Sequence, residues 1–143
     1  MYGQTIDESM TTIQTSRTLD ARLSHIRIVM RSCRKLHAYE QRNVETITPP
    51  PRVMMQRLDR IQTEIIQSFI RDELAKASAR SEKAKSRAGK ISPFDKILQK
   101  MAELRGELSD GREIEPLKRE VRAERDKAES KWLVAQRQKR LMS

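Results

Sequence analysis

"MMQRLDRIQTEIIQSFIRDEL" runs from Met54 to Leu74. Met54, Leu58, Ile61, Ile65 and Phe69 recur at steps of four, three, four and four, with Ile66, Ile70 and Leu74 beside them. Only a helix brings residues at that period onto one side. No glycine or proline interrupts the stretch, and it is the most apolar in the chain. It is therefore read as a helix and as the candidate core. An Ile65→Asp change is expected to be severe where that side chain is buried, because an unpaired charge is left in an apolar site.

Upstream, "TITPPPR" (residues 46–52) ends whatever precedes it. Pro49 and Pro50 remove backbone donors and push the residue ahead of each out of helical geometry. Pro51 suits the first position of the next helix. Before this stiff joint, Leu19, Leu23, Ile26, Met30 and Cys33 recur at four, three, four and three, and His37 extends the row. That heptad seam predicts a helix over about residues 18–45. Ile28, Val29 and Leu36 widen its apolar stripe. Ile6, Met10 and Ile13 share the spacing but not the phase, so residues 1–17 are expected to be frayed or loosely helical. Residues 18–74 thus read as a first helical hairpin, jointed at Pro49 to Pro51.

Downstream, "AKASARSEKAKSRAGKIS" (residues 75–92) loses the apolar stripe and reads as a basic linker or helix extension. In "KISPFDKIL", Ser92 is placed to cap, Pro93 to open a helix and Asp95 to act as a capping-box acid. Phe94, Ile97, Met101, Leu104 and Leu108 follow at three, four, three and four, with Gly106 interrupting. Ser109 to Gly111 make a turn. A fourth helix starts at Glu115 and Pro116, with Ile114, Leu117, Val121, Ala128, Trp132 and Ala135 as a thinner stripe. Residues 93–143 read as a second helical hairpin with a basic C-terminal tail.

The composition agrees. Apolar residues make up 36% and charged residues 35% of the 143 positions, where average domains run at about 45–50% and about 25%. Four glycines and five prolines are too few for a turn-rich sheet protein. The expected fold is all-α, without sheet: two helical hairpins with coiled-coil-like seams, elongated or closed as a loose four-helix bundle. No apolar run approaches the roughly 18 residues of a membrane span. "MYGQTIDESM" does not read as a signal peptide. Cys33 is the single cysteine, which suits a reducing compartment; the cytoplasm is expected, with the nucleus as the alternative.

The net charge of +10 is unevenly placed. Residues 75–93 carry six cations and one acid, and residues 131–143 carry four cations and no acid, so nine units lie in two short segments. Such clustering speaks of partners rather than of fold. Lys76, Arg80, Lys83, Arg87 and Lys90 fall at four, three, four and three, so a continuous helix would line them up; Lys85 lies off that line. With Arg137, Lys139 and Arg140 of the tail, they are the candidate polyanion-binding residues. No aromatic residue lies between the cations of 75–92, so any nucleic acid held there would be held by its phosphates, without sequence preference.

Catalytic and metal chemistry find little purchase. Cys33 and His37 stand one helical turn apart and could supply two zinc ligands, four in a dimer, but the same spacing is that of two seam residues. With two histidines in the chain, no nucleophile, base and acid set suggests itself. The carboxylates of "EIEPLKREVRAERDKAESK" alternate with bases as on a solvated helix face. No phosphate-loop pattern occurs. A helix-turn-helix over residues 94–135 is disfavoured by the length and mixed charge of its second helix.

The sequence therefore leads to a non-enzymatic helical interaction or scaffold protein, assembling through its seams, with basic segments on a polyanionic partner. The alternative is a sequence-nonspecific nucleic-acid-binding accessory protein. The expected helix-interface residues are Leu19, Leu23, Ile26, Met30, Leu58, Ile61, Ile65, Phe69, Phe94, Ile97, Met101, Leu104 and Leu108. The expected partners are a second copy or a helical protein, and nucleic acid in the alternative. No cofactor, small-molecule substrate or membrane surface is expected.

Overall fold

A computed structural model describes residues 18–43, 50–108 and 110–142. The expectations for residues 1–17, for Pro49 in the joint and for Ser109 in the turn lie outside them. The protein is all-α: α1 (Leu19–Asn43), α2 (Pro51–Lys83), α3 (Arg87–Arg105), a 3-10 turn (Gly111–Ile114) and α4 (Glu115–Met142). No strand occurs among the described residues, and α3 packs against α4. The chain divides into two compact units after Ile66, within α2.

In the first unit, Thr18 caps α1: its Oγ1 accepts from the Ala21 N–H at 3.3 Å, and its carbonyl accepts from the Arg22 N–H at 3.1 Å. Asp20 lies in the first turn, at the positive end of the helix dipole. Leu23, Ile26, Val29 and Cys33 form the buried face. Leu19 and Met30 of the expected seam are half-buried, and Val29 takes the central place. Pro51 opens α2, and the Pro50 carbonyl accepts from the Val53 and Met54 N–H groups at 3.1 and 3.2 Å.

The buried row of α2 is Met54, Leu58, Gln62, Ile66, Ile70, Leu74, Ala77 and Ser81. Ile61, Ile65 and Phe69 are half-buried at its flank. The row moves mainly by steps of four, and each such step drifts about 40° around the helix. A heptad seam alternates three and four to cancel that drift, so α2 carries no straight seam.

The second unit contains the C-terminal part of α2, with α3 and α4. The helix expected to open at Pro93 opens six residues earlier. Ser86 has extended backbone (φ −97°, ψ 156°), and its Oγ accepts from the Gly89 N–H at 3.0 Å. Ser86 is thus the cap in place of Ser92, and Pro93 lies inside α3. Proline lacks an N–H, so the Gly89 carbonyl four residues back receives no helical hydrogen bond from it.

α3 then contributes Ile91, Phe94, Ile97, Met101 and Leu104 to the core and ends at Arg105. Leu108, expected as the last member of that seam, falls in the connection and is half-buried. Asp110 caps the 3-10 turn through the Arg112 N–H at 3.0 Å. α4 returns along α3, burying Leu117, Val121 and Ala128.

Candidate interaction site

Ion pairs give the register of the α3–α4 hairpin. Arg105 pairs with Glu115 at 3.9 Å, Asp95 with Arg125 at 2.6 Å, and Arg87 with Glu129 at 2.5 Å. As one partner steps back along α3, the other steps forward along α4, so the two helices are antiparallel. Asp95, expected to cap its own helix, instead accepts from Arg125 Nε across the hairpin. Its place is well inside α3, where no free N–H is left to cap.

The same register locates both basic segments. α2 ends at Lys83, residues 84–86 make the corner, and α3 starts at Arg87, which is held to Glu129 of α4. Beyond that point α4 runs on to Met142 past the start of its partner helix. The cation-rich stretches 75–93 and 131–142, far apart in sequence, thus meet at one end of the unit. Lys90 and Lys131 line a common cleft there with Ser81, Glu82 and Lys127; it encloses about 450 Å3, part of it open solvent.

The expected five-residue stripe is not one line. The corner breaks it: Lys76, Arg80 and Lys83 share α2, whereas Arg87 and Lys90 begin α3. Their environments also differ. Lys76 stands 3.6 Å from Glu73 on the surface. Lys90 Nζ donates to the Ser81 carbonyl at 3.0 Å, placing an ammonium at the carbonyl end of α2, where the helix dipole is negative. Arg87 is engaged by Glu129. Arg80, Lys83 and Lys85 are exposed. Lys85, set aside because it lay off the helical line, stands at the corner between Lys83 and Arg87. The signal for it is Ser86, a favoured N-cap residue. On the tail, Arg137, Lys139 and Arg140 are all exposed.

A second groove lies between α2 and α3, of about 470 Å3 including open solvent. Its floor includes Phe69, Ile97 and Met101, and its rim carries Arg80, Lys96, Lys100 and Glu73. The expected interface residues divide accordingly. Leu23, Ile26, Leu58, Phe94, Ile97, Met101 and Leu104 are buried, whereas Leu19, Met30, Ile61, Ile65, Phe69 and Leu108 are half-buried.

Cys33 is fully buried, and burial pushes its thiol up. His37 shares a hydrogen bond with Gln41 through Nε2 at 3.2 Å, while its Nδ1 is buried without a hydrogen-bond partner among the described residues. Among those residues no three His, Cys, Asp or Glu side chains converge as a metal site. Nor is any helix among them long and apolar enough to cross a membrane.

No protein-family model, no curated protein and no solved structure matches this chain.

Proposed function

We propose that this chain is a non-enzymatic helical scaffold protein whose basic end holds a polyanionic partner in a reducing compartment, the cytoplasm first. The observation that carries the reading is the meeting of the two basic segments at one end of a packed helical unit. There Arg80, Lys83 and Lys85 stand exposed, and the basic tail of α4 continues past them. Arg87 and Lys90 are committed to holding the corner together. Concentrated positive charge on a rigid frame raises the local concentration and association rate of negatively charged partners. The buried seam of α3 is satisfied by its own hairpin, so partners would use outer faces and the basic end.

Sequence-nonspecific nucleic-acid binding is the second reading. It is favoured by the exposed cations of the corner, in a stretch (residues 75–92) that has no aromatic residue for a base to stack on.

Fluorescence anisotropy with three probes tests both: labelled polyglutamate, labelled duplex DNA and a neutral peptide. Binding of polyglutamate and not of the neutral peptide supports an acidic protein partner. Binding of duplex alone puts nucleic acid first. Binding of neither polyanion overturns both readings.

A further inference from the structure

We propose that the exposed face of the α4 end, from Leu133 to Leu141, docks an acidic amphipathic helix of a different protein, with a carboxylate set against Arg137. The inference deepens the scaffold reading above and rests on it.

Past Glu129, which pairs with the first residue of α3, α4 keeps one covered side, where Trp132 and Gln136 are half-buried, and one exposed side. The segment is helical to Met142, and Leu133, Val134, Arg137 and Leu141 on it are exposed. Its apolar side chains are conspicuous. Leu133 is 50% exposed, Val134 52%, Leu141 82% and Met142 89%. They make up four of the seven large hydrophobic residues that stand exposed among the described residues. A nucleic acid held by its phosphates has no use for them.

Their placement selects the partner. At about 100° per residue, Leu133, Val134, Arg137 and Leu141 fall within an arc of about 100°. Val134, Arg137 and Leu141 are spaced three and four, as in the contact row of two packed helices. That row lies roughly opposite the side on which Leu117, Val121 and Ala128 are buried. An arc of this width matches one partner helix. It suits a membrane poorly, because Arg137 sits in the middle of the apolar row rather than at its edge. Covering Arg137 in a helix pair requires a carboxylate opposite it, since a buried unpaired charge is heavily penalised. A single polar position of this kind fixes register and partner.

The partner is not a second copy. Two such rows in parallel would set Arg137 against Arg137, and in antiparallel register they would set it against Val134 or Leu141, with no carboxylate in either case. Of the other exposed large apolar residues, Ile28 and Val53 directly follow Arg27 and Arg52, and Tyr39 stands between Lys35 and Glu40. From Lys131 to Met142 there are four cations and no acid, which complements an acidic helix and repels a basic one.

The test uses the full-length chain and two fluorescent helical peptides of about three heptads. Both carry leucines along one row and glutamates elsewhere; they differ only at the row position that meets Arg137, Glu in one and Lys in the other. The Glu peptide is expected to bind at least about tenfold more tightly than the Lys peptide. In Arg137→Glu the preference is expected to reverse. In Leu133→Ser/Val134→Ser/Leu141→Ser both peptides are expected to bind weakly, with helicity by circular dichroism unchanged because these side chains are exposed. Binding of duplex DNA or anionic vesicles that needs the three apolar residues, with no peptide preference, overturns the inference. A chain that grips polyglutamate or duplex but treats the two peptides alike overturns it and leaves the scaffold reading standing. A chain that binds no probe overturns both.

Discussion

Arg125 on α4 donates through Nε to Oδ1 of Asp95 on α3 at 2.6 Å, and its Nη1 lies 3.6 Å from Glu129, which also holds Arg87. Four side chains from two helices thus form a chain of alternating charge along the hairpin. The proximity of Asp95 holds the Arg125 guanidinium even more firmly protonated than usual. The network fixes the register in which the basic corner meets α4. It lies on the surface, so its energetic weight is small. A double-mutant cycle of Asp95→Ala and Arg125→Ala is expected to give a coupling of about 0.5–1 kcal/mol that shrinks at high salt. A coupling of zero at low salt would show that the register depends on the apolar core alone.

Gly89 offers a sharper test of the corner. In an ordinary helix, Gly→Ala stabilises by roughly 1 kcal/mol. Here a Cβ on residue 89 would meet the Ala84 Cβ at 2.9 Å and the Ser86 Oγ at 3.0 Å, the second being the capping atom itself. Gly89→Ala is therefore expected to lower the melting temperature. Ala84→Gly in the same chain is expected to recover part of the loss, because it removes one of the two clashes. A rise in melting temperature for the single variant would place the cap elsewhere.

The buried row of α2 separates two adjacent isoleucines. Ile66 is fully buried and Ile65 half-buried. Chemical denaturation is expected to give a loss of about 2–5 kcal/mol for Ile66→Ala, the range of well-packed sites, and a clearly smaller loss for Ile65→Ala. The same order is expected for aspartate at the two positions. Equal losses would restore the straight seam that the sequence suggests.

Asp110 makes a prediction in pH. Its carboxylate accepts from the Arg112 N–H and from Arg112 Nε, and both contacts lower its pKa. A group whose pKa is depressed on folding adds stability above its unfolded value and loses it as pH falls through the folded value. The turn before α4 is therefore expected to loosen only in strong acid. Asp110→Asn is expected to flatten that part of the acid-unfolding curve. An unchanged curve would mean that the Arg112 contacts are already lost in solution.

Much of the fold was legible because helices write their period into the sequence. Leu23 and Ile26 on α1, and Phe94 to Leu104 on α3, were readable from spacing alone. The α2 row is less legible because steps of four and of three look equally helical along a line; only neighbours decide whether Ile65 or Ile66 is covered more deeply. The start of α3 is ambiguous in the sequence because Ser92 and Pro93 satisfy the local rules for a helix start. Ser86 satisfies them too, and the competition is settled by the packing of Ile91 and Phe94. For the site, the charge clusters were legible, but their meeting was not. It depends on the α3–α4 register, which Arg87 and Glu129 reveal only when both helices are in place.

The most direct measurement is the salt dependence of duplex binding by the wild-type chain and by an Arg80→Gln/Lys83→Gln/Lys85→Gln variant, which leaves the structural Arg87 and Lys90 intact. Each phosphate contact contributes about −0.9 to the slope of log affinity against log salt. A wild-type slope of about −4 to −5 that becomes shallower by about 2 to 3 in the variant is the expected result. Absence of binding to duplex and to polyglutamate alike, or a slope indifferent to the three substitutions, would contradict the claim that the corner beside α4 grips polyanions.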